Sequence, residues 1–189
     1  MRVVAVLSIS IAMLEPIFAT GQEAKARIVH QDEVLVVGID ARTSGENEMS
    51  GEGVIPDLWQ RFFQEHVLDK ISDKVDQSIY ALYTEFSRDR MGAYTVVLGA
   101  KVKDKTHVPK GLVLKVIPAG TYAVLTSEKG PAASVIPAAW LKIAALEDKD
   151  ELGGKRAYKT DFEVYEHFTD PQNVQADLFV GLKAAPAKQ

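Results

Sequence analysis

Cysteine is absent from the 189 residues. That excludes disulfides, thiolate nucleophiles, Fe–S clusters and every Cys-based zinc site. A basic excess is missing too. There are 22 Lys+Arg against 26 Asp+Glu, a formal net charge of −4, and no basic run to neutralise phosphates. A general nucleic-acid partner is therefore not expected. The four histidines, His30, His66, His107 and His167, form no i,i+4 pair and no HExxH, so no metal site is expected. Walker A and GxGxxG patterns are also lacking, and no cofactor is implied. What remains is ordinary for one folded domain: 47% apolar and 25% charged residues.

One apolar run stands out. Met1-Arg2 leads into Val3–Leu14, which carries no charge, and Glu15-Pro16 ends it before the small residues Ala19, Thr20 and Gly21. As a helix, twelve residues span ~18 Å, too short for a ~30 Å hydrocarbon core. The pattern reads as a signal peptide over 1–21, and an uncleaved anchor or a buried first strand are the competing readings. Export to the periplasm or outside the cell is the expectation, with no membrane span after cleavage. A cytoplasmic location follows if the segment is not a signal. Residues 22–33 read as a linker and 185–189 as a tail.

The body of the chain repeats itself. Residues 34–41 read as a strand, 42–53 as a Gly-rich acidic loop, Val54 to about Ile71 as an amphipathic helix, and 79–86 and 94–103 as two strands. The second half reads likewise. A strand over 112–127, bent at Pro118-Ala119-Gly120, precedes a helix from Pro131 to about Leu146 that contains Pro137. Strands over 157–168 and 174–183 follow. Gly38 and Gly120, Tyr83 and Tyr165, and Gly99 and Gly181 lie 82 positions apart, and Trp59 and Trp140 lie 81 apart. The expected fold is α+β, with two β-α-β-β pseudo-repeats at about 34–103 and 112–184. They would form an antiparallel sheet with two helices. Each helix covers one sheet face, and the open faces meet in a central ligand cleft.

One carboxylate breaks this symmetry. Strand alternation puts Tyr158, Phe162, Val164 and Phe168 on a core face of 157–168. Lys159, Asp161, Glu163, Tyr165 and His167 fall on the other. The first-half positions equivalent to Glu163 and Tyr165 are Ala81 and Tyr83, so the tyrosine repeats and the acid does not. Glu163 among Tyr83 and Tyr165 would suit an organic cation, through Coulomb attraction and cation–π contacts of ~0.5–2 kcal/mol each. A raised pKa in the same setting would suit general acid/base catalysis instead. A solvated strand face with ordinary charges is the plain alternative. Asp161 reads as solvated, Glu46, Glu48 and Glu52 as a solvated rim, and Trp140 as core.

These pieces resemble a known family. VVGIDART-SGENE (36–48), LWQRFF (58–63), YALYTEF (80–86), YTVVLGAKV (94–102), VIPAGTYAVLT (116–126), AW (139–140), YKTDFEVYE (158–166) and VGLK (180–183) run in the order of GyrI-like effector-binding domains. These are the small-molecule domains of AraC- and MerR-type multidrug regulators. The resemblance spans 34–184. It implies a cleft for amphipathic, often cationic, small molecules, with Glu163 as its key polar group and Tyr83 and Trp59 lining or supporting it. Tyr165 and Ala81 complete the expected ligand-binding set. Some members resemble hydrolases of strained compounds, which keeps a small hydrolase with Glu163 as its acid as an alternative. A protein-interaction or inhibitor module is a third reading. About 12 residues between a cleavage near Gly21 and Val34 leave no room for a helix-turn-helix. The expectation is thus a stand-alone, exported binding protein.

Overall fold

β-Branched and aromatic residues supply most of the strands, and the sheet they build is held by its register. A computed structural model describes residues 26–105 and 107–184. The segment read as a signal peptide, and the tail at 185–189, lie outside them. Eight strands are present among the described residues: β1 (Arg27–Gln31), β2 (Val34–Ser44), β3 (Ile79–Thr84), β4 (Ala93–Val102), β5 (Val113–Ile117), β6 (Gly120–Thr126), β7 (Thr160–Tyr165) and β8 (Asp177–Gly181). With them run four helices: α1 (Gly45–Ser50), α2 (Ile55–Gln64), α3 (Val67–Lys70) and α4 (Ala132–Asp148). None of the described helices is long and apolar enough to cross a membrane.

All strand pairs are antiparallel and form one sheet, ordered β1-β6-β8-β7-β3-β4-β2-β5. The α+β class and the antiparallel pseudo-repeat are as expected, and the pseudo-twofold axis passes between β7 and β3. The halves are more entangled than two β-α-β-β units. β1 pairs with β6 of the other half, and β5 pairs with β2. Only Asp32-Glu33 join β1 to β2, and only Pro118-Ala119 join β5 to β6. Each two-residue link therefore connects strands from opposite ends of the sheet. At ~3.3–3.6 Å per residue, that reach forces the sheet to curl until its ends approach, as an incomplete barrel.

This curl explains two departures from the sequence reading. β1 lies in the stretch read as a linker. Its side chains are exposed or half-buried, so backbone pairing at the edge, not an apolar pattern, holds it. The single bent strand over 112–127 is two strands, because Pro118 interrupts the ladder where the chain crosses the gap.

Curling also decides which face is open. The face without helices closes on itself around Val34, Val36, Leu82, Val97, Ile117, Tyr122 and Phe162. The other face carries α2, α3 and α4 over Val37, Ile39, Ala81, Leu98 and Tyr165. Close approach of β2 and β4 requires glycine at one point. A Cβ on Gly38 would lie 2.0 Å from the Leu98 carbonyl oxygen, and one on Gly99 2.0 Å from that of Val37.

The helices differ in detail from the reading. The span 54–71 breaks at His66, whose φ of 49° ends one helix and starts the next. The buried stripe of Leu58, Phe62, Val67 and Ile71 continues across the break, so periodicity does not reveal it. The acidic loop contains α1, capped by Ser44 Oγ accepting from the Asn47 N–H. Glu48 is not a solvated rim residue: Oε1 accepts from Thr43 Oγ1 at 2.6 Å and the Val54 N–H at 2.8 Å. α4 keeps Pro137 inside it, at the cost of the hydrogen bond a backbone N–H there would make.

Candidate functional site

β7 and β3 meet at the axis with Ala81 directly opposite Glu163. The methyl group of Ala81 leaves room that any larger side chain would fill. Along β7, Asp161, Glu163 and Tyr165 share one face by alternation. That face is the helix-covered one, not the helix-free face expected to form the cleft. The expectation fails for Glu163, because curling turns the helix-free face into a barrel interior with its own core and a concavity that Glu163 does not line. Only Phe162 and Val164 of the predicted core set point there. Tyr158 and Phe168 lie outside β7, where alternation no longer applies.

Glu163 is fully buried. Its Oε1 accepts from Tyr83 Oη at 2.7 Å and Trp140 Nε1 at 2.6 Å. Its Oε2 accepts from Tyr165 Oη at 2.5 Å. Burial pushes the carboxyl above its ordinary range, and the donors from Tyr165, Trp140 and Tyr83 pull the other way. All three partners are neutral. Burial, reinforced by the Glu163 charge, holds the Tyr83 and Tyr165 hydroxyls far above their ordinary range, so both stay protonated donors.

Asp161, two residues away on the same face, is equally buried and is treated differently. Its Oδ2 accepts from Arg156 Nε at 3.0 Å and Nη2 at 2.7 Å, and Oδ1 from the Gly181 N–H at 2.8 Å. Burial raises its pKa, and the Arg156 guanidinium opposes that rise. Arg156 also donates to Glu147 Oε2 at 3.2 Å, and lies 4.6 Å from the Tyr158 ring centre and 5.6 Å from that of Trp140. The sequence reading of a solvated Asp161 is thus corrected. A second acid on the face of a buried Glu needs its own cation, and Arg156 five positions earlier was the available signal.

Aromatic rings surround this centre. Tyr83 meets Trp140 edge-on at 5.3 Å and Tyr94 at 5.9 Å. Trp59 makes no hydrogen bond to the carboxylate. It meets Tyr165 edge-on at 5.4 Å and forms a triangle of rings with Phe168 at 5.5 Å and Phe63 at 5.8 Å, which are themselves 5.2 Å apart. Phe63 is 44% exposed, so a line of rings runs from the surface through Trp59 and Tyr165 to Glu163. Trp140, read as core, is half-buried and touches the carboxylate directly. Its equivalence to Trp59 in the repeat was the signal for it. The structure therefore gathers Glu163, Ala81, Tyr83 and Tyr165, places Trp59 one ring further out, and adds Trp140. Among the described residues, no group of three or more His, Cys, Asp or Glu is placed to hold a metal.

The carboxylate is enclosed. Neither a 660 Å³ concavity on the inner side of the barrel nor one of 160 Å³ between α2 and α3 is lined by Glu163. Access requires that one of its three donors move.

Comparison with known proteins agrees with this architecture. The profile of the Cass2 family, described as integron-associated effector binding protein, matches residues 27–182. YobU of Bacillus subtilis (strain 168), which carries the name of a transcriptional regulator, is 31% identical over 160 residues. The match covers 84% of this chain and 98% of that one. Among solved structures, the integron cassette protein VCH_CASS2 from the mobile metagenome of Vibrio cholerae superposes with a TM-score of 0.63 at 23% identity. That match covers 82% of this chain and 95% of its own. SAV2435, solved with tetraphenylphosphonium bound, superposes at 0.68 with 14% identity, covering 85% and 94%.

Proposed function

Because the chain belongs to the Cass2 family of integron-associated effector binding proteins, we propose that it binds amphipathic organic cations through Glu163. The contrast between two buried acids carries this reading. Asp161 has a guanidinium; Glu163, equally buried, has only neutral donors. A carboxylate in low dielectric with no cation of its own gains most from one that a ligand brings. Tyr83, Tyr165 and Trp140 then supply ring faces, each worth ~0.5–2 kcal/mol. Trp59 and the half-exposed Phe63 support entry along the aromatic line.

Entry displaces a donor, and Trp140 is the one carried by a helix rather than by the sheet. α4 lacks one backbone hydrogen bond at Pro137, three residues before Trp140. Swinging Trp140 aside exchanges one charge-assisted hydrogen bond from a neutral donor for an ion pair.

Tetraphenylphosphonium, the cation bound to SAV2435, is the natural probe. In titration calorimetry Glu163→Gln is expected to weaken its binding by at least ~1.5 kcal/mol, the lower end for a charge-assisted contact. Unchanged affinity would sink the reading. The exported location expected from residues 1–21 belongs to the same proposal. Mass spectrometry of the purified amino terminus tests it, and an intact Met1 on soluble protein would overturn it.

A further inference from the structure

β7 has a second face, and the space behind it is not used by the Glu163 site. β7 and β8 hold register for only three pairs, Phe162 with Phe179 to Val164 with Asp177. They then part, and a cavity of about 660 Å³ opens at that end of the barrel. Its floor is aromatic. Phe162 and Phe179 stack at 4.3 Å with an interplanar angle of 9°, and Tyr80 lies beside them.

Two lysines and two acids line the cavity, and they are not equally available. Asp177 is occupied, by Arg27 Nη2 at 3.2 Å and Thr126 Oγ1 at 2.5 Å. Lys101 on β4 and Lys129 after β6 line the cavity from different halves of the chain. Neither has an ion-pair partner among the described residues. Glu166 at the rim is the one acid similarly uncommitted, and His167 lies next to it. The Tyr80 hydroxyl makes no hydrogen bond to another described residue although Tyr80 is only 8% exposed. Burial, with Asp76 and Glu166 nearby, pushes its pKa up to about 12. It is therefore a protonated donor, and its oxygen is not among the sealed unpartnered polar atoms, so it is open to the cavity and can meet an acceptor there.

We infer that this cavity is a second small-molecule site, suited to a planar aromatic carboxylate. The ring would lie against the Phe162–Phe179 stack. The carboxylate would accept from Tyr80 and face Lys101 and Lys129. The charge preference is opposite to that of Glu163, and the two sites sit back to back on one strand, with Phe162 and Val164 facing this one and Asp161, Glu163 and Tyr165 facing the other.

The probe is 2-naphthoate, titrated into the full chain by calorimetry, with 2-naphthylmethylammonium as the cation of matched shape. The expected result is saturable 2-naphthoate binding at least about tenfold tighter than the ammonium. The double variant K101E/K129E should lose at least about tenfold. Val164→Trp, which fills the cavity from β7, should abolish binding. Glu163→Gln should leave 2-naphthoate affinity within about twofold, so this inference and the cation reading fail separately. Should Val164→Trp not fold, the lysine pair, away from the core, still decides. The inference is overturned if wild type shows no saturable 2-naphthoate binding below about 1 mM. It is equally overturned if the ammonium binds as well, if the lysine pair is indifferent, or if tetraphenylphosphonium displaces 2-naphthoate competitively.

Discussion

Lys74 and Arg156 lie 82 positions apart, the spacing of the repeat, and each sits in an isolated bridge to its own half, Lys74 with Val102 and Arg156 with Leu182. The two cations end in different places. Lys74 Nζ donates to the Leu68 and Ile71 carbonyls at 2.6 and 2.7 Å, closing off α3. Arg156 reaches inward to Asp161. The residues they serve differ accordingly: Ile79 and Ala81 in the first half stand where Asp161 and Glu163 stand in the second. The duplicated skeleton is common property, and the buried charges, Arg156, Asp161 and Glu163, belong to one copy. The reason lies at the axis. Ala81 and Glu163 are direct cross-strand partners, and such pairs are ~4.5–5.5 Å apart. Two acids there would be desolvated and mutually repelled, so the axis accommodates one.

The strongest way to break this comparison is to remove the inward cation. Arg156→Met leaves Asp161 buried without its partner and should cost about 3–5 kcal/mol in chemical denaturation. Lys74→Met loses only charge-assisted bonds to carbonyls and should cost about 1–2 kcal/mol. Equal costs would mean that the halves are not so different. Glycine offers the next contrast. Gly99→Ala puts a Cβ 2.0 Å from the Val37 carbonyl oxygen, against 2.7 Å from that of Thr160 for its counterpart Gly181→Ala. Both overpack, and Gly99→Ala should be the worse, by roughly 1–2 kcal/mol. A third test uses the tryptophans. Trp140→Phe removes the donor that a cation must displace while keeping a ring, and should tighten tetraphenylphosphonium binding about fivefold to tenfold. Trp59→Phe, one ring further out, should change it by about twofold at most, since it only substitutes one aromatic contact for another.

Acidity gives the smallest and most specific signal. The Glu163 carboxyl is raised from 4.5 by burial. It therefore takes up a proton at pH values where an ordinary glutamate is still ionised. Cation affinity should fall on acidification from a point above 4.5, and Glu163→Gln should remove that dependence. The same shift has the opposite consequence for ligand-free stability. The native state binds the proton more tightly than the unfolded chain, so this contribution is present below pH 4.5 and is lost as pH rises through the native value.

Much of this was legible in the residues. The repeat spacing, the strand alternation around 163 and the odd acid opposite Ala81 follow from side-chain period and position alone. The sidedness did not. Which face of a sheet is sealed depends on curl, and curl is set by Asp32-Glu33 and Pro118-Ala119, short links whose importance appears only when the strand order is known. β1 escaped for a related reason, since an edge strand with no buried side chain leaves no apolar pattern. Trp140 and Arg156 were visible as residue types but not as contacts, because both come to Glu163 and Asp161 from outside β7, one on α4 and one just ahead of the strand.

The exchanged edge strands also govern how the chain acquires its shape. β1 finds its partner only when β6 exists, and their paired residues lie roughly a hundred positions apart in sequence. β2 likewise waits for β5. Neither half can close its own edge, so folding is expected to be slow for its size and all-or-none rather than stepwise. A chain cut between β4 and β5 should give two fragments that are each incomplete and that recover the fold when mixed, each lending the other the strand it lacks.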